Sequence, residues 1–399
     1  MKKTWFRFKP SKKPAVTVAK SIVLPGIIAL AALGLLVYQL LSLVTYGLKE
    51  HAVYLGSATM SAIKNDILFA PVKGLQIITL KFTEDDIYMR LASVAVAVTA
   101  ALLLYFMLRK WYTARVSVLT LAMFITSSWF LHHGRLANLD VLYLTIVPTL
   151  LLICLWIISK DSSKKYPIAA ILLALTFYVP GTWLFVVGGL FVIRKVILKS
   201  LKNVPIGLKI ISGSAFLLTI LPLLYSFALK PSQIIRWLGY DSSKELSLPV
   251  IGNRILDIPQ QLFLTGPSDP TRWLIGTPVF DIFSIAMIAL GLYAFHAGYY
   301  PTREKLTFGA LGFGFVLVGL GNVATLSLVI PIFYIVIANG ISYMLQSWFT
   351  VFPRNPVARS LGVGFIVLVI AGSSFYQLQR YFVAWPAVEA TTKALTTER

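Results

Sequence analysis

Eleven stretches of the chain are apolar for long enough to cross or nearly cross a bilayer: 20–46, 87–108, 114–131, 140–158, 167–179, 180–196, 209–229, 278–297, 306–321, 323–345 and 360–377. A hydrocarbon core needs about 20 consecutive apolar residues in a helix. Inside it every backbone N–H and C=O must be satisfied locally, which a helix does by itself. The pattern predicts an all-α, polytopic membrane protein with about 11 transmembrane helices. The apolar run from Pro167 to Leu198 is long for one span and is divided at Val179-Pro180-Gly181, so it reads as two short spans.

Composition strengthens this reading. Hydrophobic residues make up 57% of the chain and charged residues 13%, about half the charge of a soluble domain. The net charge of +21 could point to nucleic acid, but its distribution points elsewhere. Alternate inter-span segments collect 22 Lys and Arg against two acids, Asp161 and Glu304, while the other set carries 14 cations and 13 acids. Cytoplasmic loops accumulate Lys and Arg, which places the first set, and the amino terminus with it, inside. The alternation requires the split at Pro180. The basic excess is therefore a topology signal with some attraction to anionic lipid, and no nucleic-acid partner is expected. The first span is too long for a signal-peptide core and is expected to be retained. The single cysteine, Cys154, lies within a span and can form no internal disulfide.

This orientation divides the chain into a basic cytoplasmic segment 1–19, a membrane module 20–229 with a long first outer loop 47–86, and a long outer loop 230–277. A second group of spans, 278–377, and a short outer tail, 378–399, follow. The first outer loop is itself apolar in parts. Two helices lying along the outer leaflet are expected near 50–63 and 71–82. The inside loops are short and basic, so any polar site faces outward.

Few residues out there can carry chemistry. Glu50 follows the first span directly and is a candidate general base, or an interface residue paired with Lys49 or Lys64. Arg135 and Asp140 stand five positions apart between two spans. Asp140 in a first helical turn also suits the helix dipole, and Arg135 can pair with it or reach a lipid phosphate. His132 and His133 read as interface histidines, with His133 and Asp140 as weak metal-ligand candidates. Asp66 and Glu84-Asp85-Asp86 read as a solvated rim, Arg90 pairing with one of these acids. Gly309, Gly312, Gly314, Gly319 and Gly321 lie inside a span, follow no strand, and place Ala310 and Gly314 four apart, so they indicate close helix packing.

Taken in order, these features carry a resemblance. One span is followed by a long outer loop opening with an acid, an apolar segment with Pro71, Asp86-Ile87-Tyr88-Met89-Arg90-Leu91-Ala92-Ser93, two spans, and Gly134-Arg135-Leu136-Ala137-Asn138-Leu139-Asp140. The order resembles the GT-C-fold membrane glycosyltransferases that use polyprenyl-phosphate sugars, near the protein mannosyltransferase and aminoarabinose transferase families (glycosyltransferase family 39-like). Residues 20–200 carry it best, and Gln379-Arg380-Tyr381-Phe382 through Trp385-Pro386 resembles the tails of bacterial relatives. The first loop offers one acid, in Lys49-Glu50-His51, where relatives often have an Asp-Glu pair, and Pro71-Val72-Lys73 replaces a Lys-Pro-Pro stretch.

The resemblance implies that Glu50 is the first-loop catalytic acid, and that Arg135 and Asp140 form the second-loop element. Arg135 would orient Asp140, which would position substrate or a divalent metal ion, the one cofactor in view. A lipid-phosphate leaving group needs cations more than a general acid. Lys73, Arg90, Arg254 and Arg272 are expected to supply them, with the 230–277 loop as a lid. The expected partners are a polyprenyl-phosphate-sugar donor, an acceptor lipid, glycan or protein, and membrane lipids. The location is the prokaryotic plasma membrane with the site facing out. A transporter or flippase of lipid-linked saccharide is the alternative. It predicts broken helices near mid-membrane and paired halves, which the sequence does not display.

Overall fold

The computed structural model describes residues 18–44, 47–83, 85–158, 165–202, 204–240, 247–298, 301–321 and 326–396. The basic amino-terminal segment and most of the basic loop 160–165 lie outside the described residues. Among the described residues there is no strand, and each of the eleven predicted stretches contains helix. The helices are α1 (Val18–Val37), α5 (Arg90–Trp111), α6 (Ala114–Thr126) with α7 (Ser128–Arg135), α8 (Tyr143–Ile158), α9 (Tyr166–Thr176) and α10 (Thr182–Lys202). They continue with α11 (Ile206–Leu229), α14 (Ile282–Ala297), α15 (Pro301–Leu320), α16 (Ile330–Val351) and α17 (Pro356–Gln379). Between them lie α2 (Leu48–Ser57), α3 (Met60–Asn65), α4 (Ala70–Leu80), α12 (Ser232–Trp237) and α13 (Leu248–Gln260).

Among the described residues, five helical segments are each long and apolar enough to cross a membrane: Asp86–Trp111, Asp140–Ile157, Ile206–Leu229, Leu326–Val351 and Pro356–Ala387. Burial sorts them. The apolar window of Leu326–Val351 is 83% buried and that of Asp86–Trp111 61%, whereas Ile206–Leu229 and Pro356–Ala387 are only 17% and 22% buried. The first two form the centre of the bundle, and the last two present apolar side chains outward, as lipid requires. Helix α16 packs against α14 closely enough that a Cβ on Gly291 would lie 2.1 Å from the Val336 carbonyl oxygen, and one on Gly340 2.3 Å from that of Met287. Glycine is what permits that approach.

The division at Pro180 is present: α9 ends at Thr176, α10 begins at Thr182, and Gly181 between them takes φ +78°. At 11 residues α9 rises only about 16 Å, roughly half a hydrocarbon core. The stretch 114–131 departs from expectation. It breaks at Ser127, where the chain turns by 59°, and the Ser127 hydroxyl accepts the Phe130 amide at 3.2 Å. The second half, α7, runs on to Arg135 and is buried along its whole length. A Cβ on Gly134 would lie 2.7 Å from a Leu36 methyl and 2.8 Å from the Ala97 Cβ, so α7 is seated tightly between α1 and α5.

The first loop forms helices where two were expected, with a break at Thr59, whose hydroxyl caps α3 by accepting the Ala62 amide at 3.2 Å. Helix α4 lies on α5 and buries Val72, Lys73, Gln76 and Ile77. The tail is helical over most of its described length. Helix α17 passes into a wide π-turn, Arg380–Ala384, then α18 (Trp385–Ala387) and α19 (Glu389–Thr396). Its Arg380, Tyr381 and Trp385 are buried.

Candidate active site

Glu50 sits in the first turn of α2, where its carboxylate reaches back to the Gly47 amide at 3.4 Å. That acid lies next to the amino end of the helix, where negative charge is favoured. The side chain is buried, so its charge needs partners. Arg90, at the start of α5, supplies a fork: Nε donates to Oε1 at 2.9 Å and Nη2 to Oε2 at 2.7 Å. The Ala137 amide donates to the same Oε1 at 2.7 Å. Arg90 also donates from Nη1 to the carbonyl oxygens of Leu40, at 2.9 Å, and Val44, at 3.3 Å. One ion pair thus ties the end of α1, the first loop, α5 and the second loop together.

The second loop explains its own sequence. Gly134 allows the close seat, Ala137 presents its amide to Glu50, and Asn138 caps the short turn Asp140–Leu142 by accepting the Val141 amide at 3.2 Å. Asp140 stands in that first turn, as expected, and accepts from Arg272 Nη1 at 2.9 Å. Arg135 does not orient Asp140. Its Nη2 donates to the Tyr38 carbonyl oxygen, and its guanidinium lies 5.1 Å from the Tyr381 ring centroid and 4.7 Å from that of Phe382. Proximity of five residues in sequence decided nothing here, because α7 turns Arg135 inward toward the tail.

The partner of Asp140 comes from the long loop. Residues 266–277 are pinned by Trp273, fully buried, whose Nε1 donates to the Thr277 carbonyl at 2.8 Å. Gly266, at φ +69°, packs so close to the same carbonyl that a Cβ would lie 2.0 Å from it. The turn at Asp269 is closed by Thr271, which donates from its amide and its hydroxyl to Asp269 Oδ1 at 3.1 and 2.6 Å. Lys49 Nζ then donates to Asp269 Oδ2 at 2.7 Å and to Thr271 Oγ1 at 3.0 Å. Arg272 Nε lies 4.0 Å from Asp269. Burial pushes the Asp269 carboxyl up. The bonds from Lys49 and Thr271 and the charges of Lys49 and Arg272 outweigh this and hold it below the usual carboxylate range.

These groups border an open cavity, about 340 Å³ including its solvent-open side, lined by Gly47, Lys49, Glu50, Leu136, Ala137, Asn138, Thr271, Arg272 and, from the tail, Leu395. Of the four cations expected at a phosphate, only Arg272 lines it. Arg90 is paired with Glu50, the acid at the start of the first loop. Lys73 is buried against Asp66, donating to its carboxylate at 3.1 Å and its carbonyl at 2.7 Å. Burial draws the Lys73 ammonium below its ordinary range, with Asp66 acting against it. Asp66 is also reached by Arg236 at 3.5 Å, so it is not a free rim acid. Arg254, on α13, is outside the cavity. Lys49, Asp269 and Thr271 were missed. Lys49 is adjacent to Glu50, the one local hint available.

The histidines are buried rather than interfacial. His133 stacks on Trp129 and shares a hydrogen bond with the Trp129 carbonyl oxygen at 3.1 Å. His132 is boxed by Trp273, Tyr381 and Trp385 at centroid distances of 5.2, 4.6 and 4.4 Å. The two metal-ligand candidates, His133 and Asp140, are thus held by different partners. Among the described residues no three His, Cys, Asp or Glu side chains converge. Arg380 locks the tail to this region, donating to Ser128 Oγ at 3.0 Å, Gln377 Oε1 at 2.8 Å and the Pro278 carbonyl at 2.6 Å.

No protein family matches the sequence, and no curated protein matches it. The structure is similar to that of ArnT from Cupriavidus metallidurans in the apo state, with a TM-score of 0.54 and 12% identity, over 94% of this chain and 76% of that one. At that identity the likeness is one of fold: the chain is a polytopic membrane protein with the GT-C architecture.

Proposed function

We propose that this chain is a membrane glycosyltransferase that moves a sugar from a polyprenyl-phosphate-linked donor to an acceptor at the extracytoplasmic face. The observation that carries the reading is the cavity where Glu50, Lys49 and Arg272 meet under the second loop, within a GT-C fold. The donor leaves as a phosphate monoester, and its developing charge calls for fixed cations in a site shielded from water. Arg272 and Lys49 supply them. Asp140 and Asp269 hold those cations in place before substrate arrives.

In this mechanism the acceptor oxygen or nitrogen attacks the anomeric carbon. The new bond forms on the face opposite the breaking bond to the phosphate oxygen, which keeps the electron pair, and configuration inverts. Glu50 takes the acceptor's proton, with Arg90 and the Ala137 amide fixing the carboxylate. Both carboxylate oxygens are thus engaged before substrate arrives.

That same engagement favours a second reading. Glu50 accepts from Arg90, Ala137 and Gly47, whereas Asp140 accepts one bond, from Arg272. In the second reading the Glu50–Arg90 pair anchors the loop and Asp140 is the base. Proteoliposomes with a labelled polyprenyl-phosphate-sugar donor test both. Transfer and release of free polyprenyl phosphate are expected. Loss of turnover in Glu50→Gln with folding intact assigns the base to Glu50, and loss confined to Asp140→Asn assigns it to Asp140. Translocation of the donor without cleavage overturns the transferase in favour of a flippase.

A further inference from the structure

A second pocket, an open groove with about 440 Å³ of space including its open side, lies between α8, α10 and α15. It lies further along α8 than the candidate site and shares no lining residue with it: on that helix its lining runs from Val147 to Cys154. Its walls are apolar, with Val147 and Leu151 on one side, and the rings of Phe185 and Phe313, 6.3 Å apart, close its deep end. Two glycines keep it open. A Cβ on Gly189 or Gly309 would meet no atom within 4 Å, so neither is there to let helices touch. The expected packing role of the α15 glycines holds at Gly314 and Gly319, where a Cβ would lie 2.5 Å from Val329 and Ile255 side chains.

The polar mouth is Lys305, in the second turn of α15, exposed and without an ion-pair partner among the described residues. An apolar slot about 12 Å long, from Lys305 to Phe313 at 1.5 Å per residue, that ends at a lone ammonium is complementary to a chain carrying an anion at one end. Lys305 also belongs to the loop set that collects 22 cations against two acids. On that side a membrane offers anionic headgroups. We propose that this groove binds an anionic phospholipid, one acyl chain lying between α8, α10 and α15 and the phosphate against Lys305. The site is independent of the transferase reading.

Native mass spectrometry of the full chain, titrated with phosphatidylglycerol and phosphatidylcholine of the same acyl chains, tests it. Phosphatidylglycerol is expected to be retained about fivefold over phosphatidylcholine, the preference one basic residue at a headgroup confers. Lys305→Gln should bring that ratio near one. Gly309→Leu, which fills open space, should reduce retention of both lipids, and Gly189→Leu serves if the first variant fails to fold. The single cysteine gives a second reading, because phosphatidylglycerol should slow maleimide labelling of Cys154. Equal retention of the two lipids, a ratio untouched by Lys305→Gln, or retention and labelling untouched by a groove-filling leucine would each overturn the proposal.

Discussion

Arg90 and Glu50 meet through two parallel hydrogen bonds of 2.9 and 2.7 Å, and the Glu50 oxygen nearer the second loop takes the Ala137 amide as well. Both side chains are buried. A pair of this kind is worth less as attraction than its loss would cost, because either partner alone is an uncompensated charge out of water.

Arg90→Gln is therefore expected to cost about 3–5 kcal/mol, read as a fall in thermal or denaturant midpoint in detergent. Arg90→Lys should recover only part, since an ammonium cannot make the two-pronged contact. Glu50→Gln should cost less than Arg90→Gln, because the amide oxygen still accepts from Ala137 and Arg90 keeps the Leu40 and Val44 carbonyls. Equal midpoints for all three variants would contradict the anchoring role.

Arg272 is the cavity-lining cation that faces both Asp140 and Asp269. Under the transferase reading, Arg272→Gln should lower kcat by about 10²–10³, the usual effect of removing one preorganised charge-stabilising donor. Arg272→Lys should lose less. Arg254→Gln, outside the cavity, should leave turnover unchanged, and single-turnover assays with labelled donor separate the three.

Acid should loosen the long loop first. The Asp269 carboxyl titrates below its unfolded value, so its contribution to stability is present in full above the ordinary carboxylate pKa of about 4 and is lost as pH falls through the depressed folded value. Asp269→Asn should lower the unfolding midpoint at neutral pH, with the difference from the parent closing below about pH 4. A difference independent of pH would mean that the Lys49 contact contributes nothing through charge.

The aromatic box around His132 makes two opposite predictions. Trp385, fully buried, donates to the Pro270 carbonyl at 3.0 Å and binds the tail to the long loop. Trp385→Ala should cost about 3–5 kcal/mol. His132→Phe should leave stability unchanged or raise it, because the buried Nδ1 has no hydrogen-bond partner and a carbon ring of that shape relieves the deficit. Thermal unfolding of the two variants side by side checks both.

Much of the architecture was legible in the chain. Helices α5, α8, α11, α16 and α17 announce themselves by unbroken apolar length, and the boundary between α9 and α10 by Pro180 and Gly181. The first-loop helices showed through their apolar stretches and through Pro71 in the first turn of α4, whereas the break at Thr59 was not anticipated. Glu50 stood out as an acid at the end of a span. Even the close glycine contacts on α15 were readable in part, at Gly314 and Gly319 but not at Gly309.

What the sequence determined is what depends on neighbours in the chain: which segments are too apolar for water, where their backbones must end, and which few polar residues lie between them. Tertiary structure alone decided which charge meets which. Lys49 finds Asp269 across 220 residues and Arg272 finds Asp140 across 132, while Arg135, five residues from Asp140, turns away to Tyr38 and the tail. A buried charge takes whatever counter-charge the packed helices bring within about 3 Å. That distance is set by the bend at Ser127, the loop pinned by Trp273 and the return of Tyr381 and Trp385, none of which leaves a periodic mark in the sequence.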